Sequence, residues 1–147
     1  MPVTIRSCRR LSLTYFSGFM PFIALLLLSS VSAYAEWVKG GYTESEGGYT
    51  VWFDPETIRP KGDLVKMWVL YDYKTIQTVA GLPYISQRVQ HQFDCAEERY
   101  RFLSRTWFSG YMGAGNVVFD ISSESTWDPV APGSVGQAVW KVACDKK

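Results

Sequence analysis

Histidine occurs once in the 147-residue sequence and cysteine three times. That leaves too few ligands for a metal cage or a zinc ribbon. Charge of one sign is also scarce: 15 Lys and Arg face 14 Asp and Glu, a formal net charge of +1. So even a balance excludes the basic stripe of a nucleic-acid binder and the high net charge of a disordered chain. There is no C-x-x-C, no G-x-S-x-G and no S-x-x-K, so the usual redox and acyl-transfer signatures are missing. Gly110, Gly113 and Gly115 form G-x-x-G-x-G, which is not the dinucleotide fingerprint; a strand follows it where phosphate binding needs a helix N-terminus. A tight turn with positive φ angles is the better reading. What the sequence has in plenty is aromatic side chains, 16% of residues with six Trp among them.

The long apolar run is confined to the start. Arg6, Arg9 and Arg10 precede an apolar stretch over 16–28, and Ala33-Tyr34-Ala35 supplies an A-x-A cleavage site. Residues 1–35 therefore read as a secretory signal peptide, followed by one domain over 36–147. The alternative is an uncleaved anchor, since 11–31 is long enough to span a bilayer at about 1.5 Å per residue. Gly18 and Pro21 interrupt that stretch. Cleavage removes three Arg and no acid, and the net charge becomes −2. No membrane span is expected beyond it. No cysteine stands at the cleavage point to take a lipid, so an exported, periplasmic location is expected ahead of display at the cell surface.

Cys8 would leave with the peptide. Cys95 and Cys144 remain, an even number in an exported chain, and a disulfide is the expectation. Closing that loop contributes about 4 kcal/mol by chain entropy. A reactive thiol is disfavoured at Cys95, because Asp94, Glu97 and Glu98 raise a thiol pKa.

Alternation predicts strands at 49–53 and 64–73, the second with Val65, Met67, Val69, Tyr71 and Tyr73 on one face. Asp54-Pro55-Glu56-Thr57 reads as a capped single turn and 61–63 as a hairpin tip. A polar link follows over 74–78, and Gly81-Leu82-Pro83 breaks the chain. Strands are expected at 84–93, with one wet face, at 100–108, with Leu103 and Trp107 opposite Tyr100, Phe102 and Phe108, and from 117. Residues 122–133 read as a loop. The period then changes: Val135, Ala138, Val139, Val142 and Ala143 share a helical face, and Ser134 with Gln137 forms a capping box. The fold class is α+β. The expected architecture is an antiparallel, mostly meandering sheet of about five to six strands, with a C-terminal helix on one face tied down by Cys95–Cys144.

No catalytic residue, metal ligand or cofactor emerges. His91 lies in a strand between Gln90 and Gln92 and reads as a satisfied or exposed strand histidine. Glu97 and Glu98 beside Arg99 and Arg101 read as a solvated charged turn. The aromatic surplus points to binding instead. Eighteen aromatic residues remain after cleavage, more than one sheet and one helix easily hide. Tyr71, Tyr73, Tyr84 and Trp127, at strand ends or in a loop, are the candidate binding surface. A small-ligand carrier or enzyme with a pocket between helix and sheet is the alternative.

A resemblance rests on Trp37-Val38, on Asp54-Pro55 with Thr57-Ile58-Arg59, on Trp68-Val69-Leu70 before Asp72-Tyr73, and on Asp94-Cys95. It continues through Arg99-Tyr100-Arg101, Ser109-Gly110, Met112-Gly113, Trp127, Pro132-Gly133-Ser134, Trp140-Lys141 and Ala143-Cys144. The sequence resembles the surface-adhesin protein E family of Gram-negative bacteria. The resemblance implies a sheet with a disulfide-tethered C-terminal helix. It also implies, for the family's namesake, binding of host extracellular-matrix and serum proteins and a tendency to form a homodimer; a protein partner, matrix or envelope, is expected here. The family's namesake is a lipoprotein, and this sequence lacks the lipid-accepting cysteine.

Overall fold

The structure is a computed structural model that describes residues 36–44 and 47–145. The expected signal peptide, 1–35, lies outside the described residues, as do Ser45 and Glu46 of the first turn. Eight antiparallel strands form one sheet: β1 (Val38–Tyr42), β2 (Tyr49–Phe53), β3 (Arg59–Lys61), β4 (Leu64–Val79), β5 (Leu82–Asp94), β6 (Arg99–Phe108), β7 (Val117–Ile121) and β8 (Asp128–Pro129). The main path runs β1-β2-β4-β5-β6-β7, with β3 pairing β4 and β8 pairing β6. The helix α1 (Val135–Asp145) follows. This is the expected α+β meander with two extra short strands. Among the described residues no helix is long and apolar enough to cross a membrane.

Alternation decides the faces. On the inner face Val51, Val65, Met67 and Val69 are fully buried, with Phe53 and Phe93 beside them. Val139 and Ala143 of α1 close this core. Each such apolar side chain contributes roughly 1.5–3 kcal/mol when withdrawn from water. The helix packs through Val135, Val139 and Ala143, but Ala138, expected on the same face, is exposed. Trp140 takes its place, donating from Nε1 to the Asp94 carbonyl at 3.2 Å. Ser134 Oγ caps the helix by accepting from Gln137 N at 3.1 Å, while Gln137 Oε1 accepts from Gly133 N. The return bond thus falls one residue earlier than in a standard capping box. Cys95 and Cys144 are bonded, joining the end of β5 to the end of α1.

Asp54 caps the turn Pro55–Thr57, accepting from Glu56 N at 3.0 Å. That turn also fills the gap between β2 and β3 along β4: Trp68 N donates to Thr57 Oγ1, and Asp54 N donates to the Trp68 carbonyl.

Three expectations need correction. Residues 74–78 are no link, and Leu82 and Pro83 are no break. β4 and β5 continue to a two-residue turn at Ala80-Gly81, both at positive φ, 50° and 78°. Such a turn matches the strand twist and holds a hairpin together where the side chains are polar. The expected wet face of β5 is partly roofed. Ser86 is fully buried because the glycine turn folds over it: its hydroxyl donates to the Gly110 carbonyl and accepts from Gly113 N. Gln92 is buried beneath Arg101, which donates to its Oε1 twice. Finally, Tyr100 and Trp107 lie on the same face. Register shifts at Gln90/His91, leaving Leu103 without a Cα partner, so alternation inverts midway along β6.

The glycine turn over 110–115 is built by close approach. Gly115 has φ +78°, and a Cβ there would sit 2.5 Å from Ser109 Oγ.

Candidate binding surface

A continuous strip of rings crosses the inner face beyond the core. Tyr49 of β2 meets Tyr71 and Tyr73 of β4, with centroids 5.4 and 5.7 Å apart. Tyr73 meets Tyr84 of β5 at 5.5 Å, Tyr84 meets Trp107 of β6 at 6.4 Å, and Trp107 meets Phe119 of β7 at 5.7 Å. Register places Tyr49 opposite Tyr73, Gln87 opposite Trp107 and Trp107 opposite Phe119, and Tyr84, beside the irregular stretch of β4 between Asp72 and Gln77, joins the line through its ring contacts with Tyr73 and Trp107. Edge-to-face pairs of this kind contribute about 0.5–1.5 kcal/mol each beyond area burial.

The strip runs into a projecting arm. β2 stops pairing with β4 at Tyr73, and β6 begins pairing with β5 at Ser86. Past those points β4 and β5 pair with each other from Gln77–Tyr84 to Val79–Leu82. Lys74 N still donates to the Gly48 carbonyl at the arm's base. The arm holds Ile76 71% exposed and Leu82 46% exposed.

Of the four expected surface residues, the structure brings Tyr71, Tyr73 and Tyr84 together and leaves Trp127 apart. Tyr71 is the inner end of the strip, and its hydroxyl lies 3.1 Å from His91 Nε2. Tyr73 accepts a hydrogen bond from Gln87 Nε2 at 2.7 Å. Both rings are half-buried. Burial and neighbouring tyrosines push the Tyr71 and Tyr73 hydroxyls far above the ordinary tyrosine range, so both stay neutral donors. Trp127 lies beneath two guanidiniums, Arg99 at 4.9 Å and Arg101 at 4.6 Å from the ring centroid. Arg99 pairs with Asp94, and Arg101 with Glu124 at 2.6 Å. Trp127 thus pins the 122–130 segment across the strand ends. A loop tryptophan next to two sequence-distant arginines carries no such signal in the sequence.

His91 is buried, which departs from an exposed strand position. Its Nε2 lies 3.1 Å from the Tyr71 hydroxyl, and the Arg101 backbone also interacts with the ring. Burial, with the nearby Arg105 charge, lowers its pKa to about 3, so the ring is neutral. Arg105 is the residue that sequence reasoning missed. It sits on the inner face opposite Val89, its Cζ 3.6 Å from the Phe102 ring centroid and its Nε buried without a partner. Its charge acts on Tyr71, Tyr73, His91 and Tyr100 together. The register shift at Leu103 brings Phe102 and Tyr100 onto the same face as Arg105.

Between α1 and the sheet lies a cavity of about 70 Å³, lined by Tyr49, Tyr71, His91, Tyr100, Gly136 and Val139 among others. Drug-sized ligands occupy about 300–1,000 Å³, so this space suits a few water molecules. No group of three metal-ligating side chains occurs among the described residues.

A family model described as "Surface-adhesin protein E" matches residues 37–145. No curated protein matches the chain significantly. Among solved structures, crystal form II of Haemophilus influenzae protein E superposes with a TM-score of 0.56 at 12% identity, covering 75% of this chain and 96% of that one. Another structure of Haemophilus influenzae protein E gives a TM-score of 0.55 at 13% identity, covering 74% and 87%. At such identity the likeness is one of fold.

Proposed function

The chain belongs to the surface-adhesin protein E family, and from that premise we propose that it is an exported, non-enzymatic module that holds a protein partner on its aromatic strip and hairpin arm. The observation that carries this reading is the strip itself. Tyr73 and Tyr84 lie half-buried in a line of rings that passes the base of an arm bearing Ile76 and Leu82 exposed. Tyrosines with fixed rings and neutral hydroxyls lose little entropy on contact and offer both apolar area and a donor. The partner class is an extracellular-matrix protein or a protein of the bacterial envelope. Family membership implies export or surface exposure, and we place this protein in the periplasm, since no lipid-accepting cysteine follows the A-x-A site.

The small cavity counts against the carrier or enzyme alternative, and His91 counts against it further. Its ring is buried on the Tyr71 hydroxyl, with no nucleophile or carboxylate bonded to it. The test is binding of the purified protein to immobilised matrix proteins and to purified envelope proteins, with sedimentation to fix monomer or dimer. Tyr84→Ala and Ile76→Glu are each expected to weaken binding by roughly tenfold, a loss of about 1.4 kcal/mol. Wild-type protein that binds nothing saturably, or variants that bind unchanged, would sink the reading.

A further inference from the structure

The outer face of the sheet carries basic side chains, of which Arg59, Lys66 and Arg88 have no ion-pair partner among the described residues. Register sets Arg59 directly opposite Lys66, Lys66 opposite Gln92, and Gln92 opposite Arg101. A row of three basic side chains therefore crosses β3 to β6. Like charges directly opposite one another destabilise a strand pair. Arg101 is answered by Glu124. Arg59 instead donates to the backbone carbonyls of Glu56 and Ile58, at 2.6 and 2.9 Å, which hold the guanidinium without neutralising it. Lys66 is exposed and forms no ion pair among the described residues. Two rows further on, Arg88 is exposed too, and rings carry it: Trp68 at 5.2 Å and Phe108 at 5.6 Å from its Cζ. Lys61 extends the same face along β3.

We propose that this outer face, centred on Arg59, Lys66, Trp68 and Arg88, is a binding site for an anionic polysaccharide. Charge complementarity selects an anion: adjacent cations, each held without a carboxylate, attract repeated negative charges and are relieved by them. The surroundings select a saccharide over a peptide. β4 is hydrogen-bonded on both sides here, to β3, the Pro55–Thr57 turn and β5, and β5 lies between β4 and β6. Neither β4 nor β5 therefore offers a free edge to an added peptide strand. The apolar anchor a peptide side chain would seek, Leu70, is fully buried, and Gly113 of the glycine turn lies against it. Between the cations stand Gln90 and Ser104, in register with Trp68. They are neutral hydrogen-bonding groups suited to sugar hydroxyls. A lipid surface is disfavoured, since the exposed large apolar side chains nearest the basic rows, Met112 and Val117, lie to one side of them, beyond Arg88.

The test titrates the purified protein with a labelled heparin oligosaccharide, with neutral dextran, polyglutamate and phosphatidylserine vesicles as parallel probes. Saturable heparin binding that weakens as salt rises is expected, with the other three weaker. Lys66→Glu and Arg88→Glu should each reduce affinity by roughly tenfold, while Lys141→Glu, the same charge change on α1, leaves it within about twofold. Lys66→Gln adds no repulsive charge and keeps the test open should the charge reversal disturb folding; it should lose affinity by about threefold or more. The proposal is overturned by absent saturable binding, by an equal loss in Lys141→Glu, or by polyglutamate or vesicles bound as tightly as heparin.

Discussion

His91 shows how one buried side chain writes itself into the behaviour of the whole protein. It is 6% exposed, bonded through Nε2 to the Tyr71 hydroxyl, and held neutral by burial and by Arg105. Its folded pKa, about 3, lies below the ordinary histidine value of 6.5. Unfolding therefore lets it take up a proton anywhere between those values, and stability rises with pH across that interval. Going down from pH 6.5, stability should fall by up to about 1.4 kcal/mol per pH unit from this group alone. Carboxylates join only below about pH 4.5. Asp94 is one of them. Burial raises its pKa, but donors from Glu97 N, Arg99 and Ala96 N outweigh that and hold it below the ordinary value. His91→Gln is expected to flatten the urea-unfolding free energy between pH 6.5 and 5, at the cost of a lower plateau above it. An unchanged slope in the variant would assign the pH dependence elsewhere. The sequence shows a lone histidine between two glutamines; it does not show that Tyr71, Phe93 and Tyr100 surround the ring, because that depends on which strands become neighbours.

Among the elements, the arm formed by β4 and β5 is where local and global preferences conflict. Two strands without neighbours are marginal in water, and Ala80 occupies φ 50°, which costs a residue with a Cβ roughly 1–2 kcal/mol. Ala80→Asn tolerates that conformation better and should raise stability by about 0.5–1 kcal/mol, read as slower amide exchange at residues 76–84. Faster exchange there would mean that the turn is not as described. The arm was hard to read because Lys74, Thr75, Gln77 and Thr78 lack the apolar alternation that marks a half-buried strand; a strand exposed on both faces needs none. α1 was legible in detail, since Pro-Gly, the Ser134 cap and the Val135, Val139, Ala143 spacing all agree. Ala138 fell on the wrong side because Trp140 reaches the Asp94 carbonyl and sets the helix rotation. β6 was misread for one reason, the unpaired Leu103, and bulges leave little trace in hydrophobic pattern.

At the scale of the molecule, the sheet is stabilised on its two faces by different means. Inside, α1 covers Val51, Val65, Met67 and Val69 and is bound covalently to β5. A helix of 11 residues is marginal alone. Outside, the glycine turn and the Trp127 segment cover part of the sheet, Arg101 included, and leave Lys66 and Arg88 exposed. The Cys95–Cys144 bond spans 49 residues of sequence and contributes up to about 4 kcal/mol by chain entropy. Cys95→Ser with Cys144→Ser should lower the unfolding free energy by about 2–4 kcal/mol in urea, with α1 losing amide protection first. Equal stability in the variant would make the bond dispensable. The bond, the helix and the core were legible from two cysteines and one period change; the proposed binding surface could be read from the sequence as single tyrosines but not as a strip, because its line depends on register across five strands. The central claim is that the strip and arm meet the partner, and amide hydrogen exchange of the protein saturated with a bound matrix or envelope protein tests it most directly. Slowed exchange confined to residues 73–87 and 105–107 is the predicted result; slowed exchange at β1 and α1 with the arm unchanged would contradict it.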